Sequence, residues 1–241
     1  AALDALVAHP SVPPFLSRLL IQRFTSSNPS AAYLARVSRV WVDDSTGESA
    51  DLGEVIKAIL LDPEVLSGGD RHQFHGKVRE PIIRYASLAR AFNLVSESGK
   101  YSTNQPLLND VFGQFPMLSP SVFNFYLPDF SPEGEFREAG MFSPELQLAS
   151  LSQMLRSDSR FAASVEESGV SGRFDFTREL ALVSEPSALV SRVDLLMTGG
   201  RLKAETKLAI LNAVQSELTD LEKVRTAIYL VSQSMECIVL N

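Results

Sequence analysis

Apolar positions recur every three or four residues over most of this chain, the spacing of amphipathic helices that bury one face. From Phe15 to Phe24 the stripe is Phe15, Leu16, Leu19, Leu20 and Phe24, with Ser17, Arg18, Gln22 and Arg23 opposite. Ser30, after the Asn28-Pro29 turn, is placed to cap a second helix whose inward residues are Tyr33, Leu34, Val37, Val40 and Trp41. Asp51 and Glu54 have capping-box spacing at the start of a helix with Leu52, Val55, Ile56, Ile59 and Leu60 expected inside. Pro81 fits the first turn of a helix carrying Ile82, Ile83, Tyr85, Ala89 and Phe92. Ser143-Pro144-Glu145 predicts another helix start, running to about Glu167 with Leu148, Leu151 and Leu155 on one face. In the last third, Leu189, Val193 and Leu196 lead to a Gly199-Gly200 stop. Leu208, Leu211, Val214 and Leu218 follow, then Leu221, Val224, Ile228, Val231 and Met235. Residues 173–184 read equally as a short strand or a helical turn, and no segment alternates convincingly. The fold class expected is all-α.

One stretch breaks the rhythm. Prolines 116, 120, 128, 132 and 144 forbid a continuous helix, since each removes a backbone donor and restricts the residue before it. Yet eight of the chain's twenty aromatic residues lie between Phe112 and Phe142, too many for a solvated linker. Residues 112–144 are therefore expected to be an ordered, irregular Pro/aromatic-rich crossing, packed over the helices through its rings. The organisation predicted is a single helical domain over 1–241. A subdivision into 1–110 and 143–241, joined by a 112–142 crossing, is the alternative.

Composition narrows the partners. With 241 residues, 45% of them hydrophobic and 21% charged, the chain can bury a core without disulfides or a structural metal. The net charge of −7 argues against nucleic-acid binding and against an anionic membrane surface. No apolar run is long enough to span a bilayer. The lone cysteine, Cys237, lies among Met235, Ile238 and Val239 and reads as a buried small hydrophobe.

Catalytic signatures are mostly absent. The chain has no phosphate-binding glycine loop, nucleophile elbow, H-E-x-x-H or cysteine pair, so no cofactor is expected. His72 and His75, three residues apart, are weak metal-ligand candidates in a glycine-bearing loop. Asp43-Asp44-Ser45-Thr46-Gly47 fails as a calcium loop, because aligning its glycine puts Val42 and Gly53 at ligand positions. The charged groups around the crossing carry more weight. Lys77, Arg79, Glu80 and Arg84 precede it, while Asn124, Tyr126, Asp129 and Glu145 lie in it or end it. Buried charge needs a partner, so Arg79, Glu80, Asn124, Tyr126, Asp129 and Glu145 are the residues expected either to pin the crossing or to line a pocket. Pinning, with Arg79 bonding Asp129, Glu145 or loop carbonyls, is the preferred expectation.

Seven segments occur in order: HPSVPPFLSRLLIQRFTSSNPSAAYLARVSRV, DLGEVIKAILLDPE, GKVREPIIRYASLARAF, PSVFNFYLPDFSPEG, FSPELQL, VDLLMTGGRL and LEKVRTAIYLVSQSMEC. Together they resemble the bacterial domain of unknown function 1800 family over nearly the whole chain. The resemblance implies the C-terminal half of a longer, exported helical protein, secreted or periplasmic. Its members are often encoded beside a second exported, sulfatase-like family. It brings no catalytic residues, and the Asp43–Ser49 loop departs from a pattern usually richer in glycine. The function expected is a structural or partner-binding scaffold. Its partners would be an N-terminal half and a neighbour-encoded exported protein. The alternative is a secreted hydrolase of an extracellular polymer or ester, with its site near 119–146.

Overall fold

The computed structural model describes residues 2–43, 50–67, 75–96, 99, 112–115, 117–148, 173–216 and 218–240. In chain order these form α1 (Ala2–Val7), α2 (Val12–Phe24), α3 (Ala31–Val42), α4 (Leu52–Leu60), α5 (Pro63–Leu66) and the two-residue strand β1 (Lys77–Val78). There follow α6 (Pro81–Ala91), α7 (Glu135–Glu138), a 3₁₀ turn at Pro144–Leu148, α8 (Thr177–Leu180), α9 (Pro186–Thr198), α10 (Ala204–Val214), α11 (Asp220–Gln233), α12 (Met235–Ile238) and β2 (Val239–Leu240). The fold is all-α, with one two-stranded ribbon among the described residues. The chain divides into two compact units, one of residues 1–78, 126–147 and 240–241, the other of residues 79–125 and 148–239.

In the first unit α2, α3 and α4 pack pairwise around Ile21, Tyr33, Val37, Trp41, Val55 and Ile59. The stripe of α3 buries Tyr33, Val37 and Trp41 as the spacing predicts, whereas in α4 Val55 and Ile59 are buried but Leu52 and Leu60, expected inside, are exposed. Ser30 Oγ accepts from the Tyr33 N–H at 3.0 Å, as an N-cap should. Asp51 Oδ1 caps α4 through Gly53 and Glu54 N–H, while the Glu54 carboxylate turns to Lys57. The face of α2 is rotated from expectation. Phe15 is 54% exposed and Phe24 also faces out, whereas Ser17 and Gln22 are buried beside Ile21. Gln22 goes inward because residues 126–147 lie along the helix and the Pro128 carbonyl takes its hydrogen bond.

The second unit is centred on α11, which buries Val224, Ala227, Ile228 and Val231 against α9, α10 and α8. Its start is a complete capping box, with Thr219 and Glu222 bonding each other's backbone N–H. Gly199 ends α9 at φ 74°, a left-handed turn that favours glycine. The last stripe is interrupted at Ser234, whose extended backbone ends α11 and caps α12, so Met235 is exposed. Of the two candidates for residues 173–184 the helical turn forms, and the strand is reduced to one isolated antiparallel bridge at Arg173. Arg173 exchanges backbone hydrogen bonds with Val95 at 2.8 and 2.9 Å, and α8 follows at once. The helix expected from Glu145 opens as a 3₁₀ turn, and its continuation beyond Leu148 lies outside the described residues.

Candidate functional site

The C-terminal end of α2 creates the problem that this site solves. The last carbonyls of a helix have no intrahelical donor. Thr25 and Ser26 N–H both return to the Ile21 carbonyl, at 2.8 and 3.2 Å, which leaves the Gln22 and Arg23 oxygens at the helix end. Lys77 Nζ donates to both, at 2.9 and 3.0 Å, and its third contact is Glu145 Oε1 at 2.9 Å. An ammonium has three N–H donors, and here all three have acceptors. A cation at the negative end of a helix is also placed where the dipole favours it. Glu145 Oε2 in turn accepts from Ser27 Oγ at 3.4 Å. The side chains of Lys77 and Glu145 are 6% and 2% exposed, so this is a buried ion pair built into a helix cap.

Neighbouring backbone fixes the register. The Gly76 carbonyl accepts from Ser27 N–H at 3.0 Å, and Gly76 sits at φ 111°, which a side chain would strain. Around this core the crossing is laced to α2 and the α2–α3 turn. Asn28 bonds Phe142 as a strand partner would, its Nδ2 donating to the Phe142 carbonyl and its Oδ1 accepting from the Phe142 N–H, both at 2.8 Å. Gln22 Nε2 donates to Pro128 O at 3.0 Å. Arg23 donates to the Tyr126 hydroxyl and lies 5.2 Å from the centre of its ring. Next to the Asn28–Phe142 pairing is a cavity of about 390 Å³, with Arg18, Leu34, Met141 and Phe142 among its walls.

Of the residues singled out from sequence, Tyr126 and Glu145 are buried in the first unit and bond α2 or its cap, while Asp129, also there, is exposed. Arg79, Glu80 and Asn124 belong to the second unit. Arg79 donates its backbone N–H to Ile238 O at 2.8 Å and a guanidinium N–H to Met197 O at 3.3 Å. Glu80 is buried and accepts from Gln114 Nε2 at 2.5 Å. Asn124 closes a tight turn at φ 76°, its N–H on the Ser121 carbonyl at 3.2 Å. Arg18, Gln22, Ser27 and Asn28 were not singled out, although each holds or borders the crossing. The sequence marks Asn28 and Pro29 only as a turn ahead of the Ser30 cap.

Among the described residues no group of three or more histidine, cysteine or acidic side chains is placed to hold a metal ion, and His72 lies outside them. No helix among them is long and apolar enough to cross a membrane. Cys237 is buried, and that burial pushes its thiol pKa up. A family model described as "Protein of unknown function (DUF1800)" matches residues 1–239. No curated protein and no solved structure matches.

Proposed function

We propose that this chain, which belongs to that family of proteins of unknown function, is an exported helical scaffold that binds a protein partner through residues 117–123. One observation carries the reading. Met117 is 98% exposed, Val122 94%, Leu118 61% and Phe123 42%, four large apolar side chains within seven residues. Apolar groups clustered on a surface mark interaction sites, because water gains when a partner covers them. The turn that presents them is ordered. Ser121 Oγ accepts from Phe123 N–H at 3.1 Å, and Met117 and Asn124 both hold positive φ. Strained backbone kept in place beside exposed apolar side chains fits a surface held ready to bind. Export, to the periplasm or beyond, is supported by the family resemblance. By the same resemblance the partner is another exported protein.

The alternative, a hydrolase of an extracellular polymer or ester, has the cavity beside Asn28 and Phe142 in its favour. It is less well supported because the nearby polar groups are committed elsewhere. Lys77 has an acceptor for each of its three donor positions, and Glu145 is engaged through both oxygens. Neither is poised as a general base. On this reading Arg79, Glu80, Asn124, Tyr126, Asp129 and Glu145 are structural.

A photo-crosslinking amino acid placed at Val122, and at exposed Glu185 as control, tests the scaffold reading in cells of the native source. A defined protein adduct at position 122, absent at 185 and abolished by Met117→Asp, is expected. Equal labelling at the two positions, or an adduct indifferent to Met117→Asp, would overturn it.

A further inference from the structure

The cavity in the first unit has a positively charged, otherwise uncharged wall. Its walls contain a single charged side chain, Arg18, and none of the described wall residues is acidic. The Arg18 guanidinium carbon lies 4.9 Å from the centre of the Phe142 ring. A guanidinium stacked on a ring uses its flat face there and keeps its N–H donors, which lie in its own plane, available for a second partner. Among the described residues none accepts a hydrogen bond or ion pair from Arg18. Phe142, which the guanidinium rests on, is held by both Asn28 bonds, so the platform is fixed before any ligand arrives. Ala31, the first residue of α3, forms part of the wall, which brings the positive end of that helix to the same space. The remaining surface is apolar, with Leu34, Met141 and the Phe142 ring.

We infer that this cavity binds a carboxylate carrying a short apolar tail, the carboxylate on the Arg18 fork and the tail against Leu34 and Met141. Two donors of the guanidinium match the two oxygens of a carboxylate, a pairing stronger and more directional than one through a neutral donor. A volume of about 390 Å³ suits a ligand of this class and is at the small end of ligand pockets in general. The site lies wholly within the first unit and does not depend on the apolar turn at 117–123. Such a carboxylate can be a free acid or the C-terminus of a peptide.

Isothermal titration of the full chain separates these sources. Hexanoate, hexanamide, and a short peptide ending in leucine with either a free or an amidated C-terminus are the probes. Saturable binding of hexanoate, of the free-acid peptide, or of both supports the assignment and tells which source the site prefers, provided the amides bind at least about tenfold more weakly. Arg18→Met is expected to weaken carboxylate binding about ten- to a hundredfold, and Arg18→Lys by less, since lysine keeps the charge but loses the fork. Ala139→Phe, at an exposed position on the wall, adds bulk to the space while keeping Arg18 and should also abolish binding, whatever becomes of the Arg18 variants' folding. Amides that bind as well as acids, no saturable binding of any probe, or full affinity in folded Arg18→Met or Ala139→Phe would each overturn the assignment.

Discussion

Removing Glu145 from Lys77 tests whether the helix cap at the end of α2 holds the first unit together. Breaking one side of a buried ion pair costs about 3–5 kcal/mol, because the surviving charge stays buried. In Glu145→Ala, Lys77 keeps the Gln22 and Arg23 carbonyls at 2.9 and 3.0 Å, so the loss should fall at the low end, about 3 kcal/mol. Lys77→Met is worse, at about 4–5 kcal/mol, since it strands a carboxylate and also orphans both carbonyls. The double variant Lys77→Met, Glu145→Ala buries no charge and is left chiefly with the two orphaned carbonyls. It should be less damaging than Lys77→Met alone, which requires the coupling between the sites to exceed the cost of about 3 kcal/mol for the Glu145 change. Trp41 is the chain's only tryptophan and is buried in the first unit's core, so its fluorescence during urea unfolding reports this unit directly. Additivity of the two single changes to within about 0.5 kcal/mol would refute the argument, because it would mean that the two charges do not feel each other.

Two further outcomes follow from buried groups. The Tyr33 phenol is pushed up to about 12, first by burial and then by the Asp62 and Glu64 carboxylates. Its unfolded counterpart ionises near 10.0, so stability present below that pH should decline as pH rises from 10.0 toward about 12. Tyr33→Phe should abolish that alkaline decline while costing about 1 kcal/mol at neutral pH for the lost bond to Ile59 O, and a decline of unchanged steepness in urea midpoints would count against it. Cys237, buried and with its thiol pKa raised by that burial, should resist Ellman's reagent in the native protein and react fully in denaturant. Rapid labelling of the native protein would show that the α12 segment is open to solvent.

What could be read ahead of the structure was local. Ser30 as cap and Tyr33, Val37 and Trp41 as a stripe depend on spacings within one helix, and a single periodic signal decides them. The irregular crossing could also be recognised, because prolines and aromatic residues set its character one residue at a time. The partners of that crossing could not. Lys77 and Glu145 are joined by tertiary structure alone, and nothing near Lys77 in sequence distinguishes it from a solvated lysine. The face of α2 was misread for a related reason. Phe15 and Phe24 outweigh Ser17 and Gln22 in any tally of hydrophobicity, yet Gln22 is drawn inward by bonds to the Ser27 and Pro128 carbonyls. The 3₁₀ turn at Pro144 has the start signal of an α-helix, and the same signal serves both.

The cap at the end of α2 also imposes an order on biosynthesis. Ser27 and Glu145, two members of one buried cluster, are separated by 118 residues of chain. At ~5–20 residues per second, roughly 6 to 24 s pass between their emergence from a ribosome. Through that interval the carbonyls of Gln22 and Arg23 have no carboxylate-anchored lysine to close on. The first unit therefore cannot be completed from its N-terminal residues as they appear, and most of residues 79–125, which belong to the other unit, leave the ribosome before it closes. A nascent chain halted before residue 145 should remain a target for chaperones, and release should coincide with the arrival of the Ser143-Pro144-Glu145 turn.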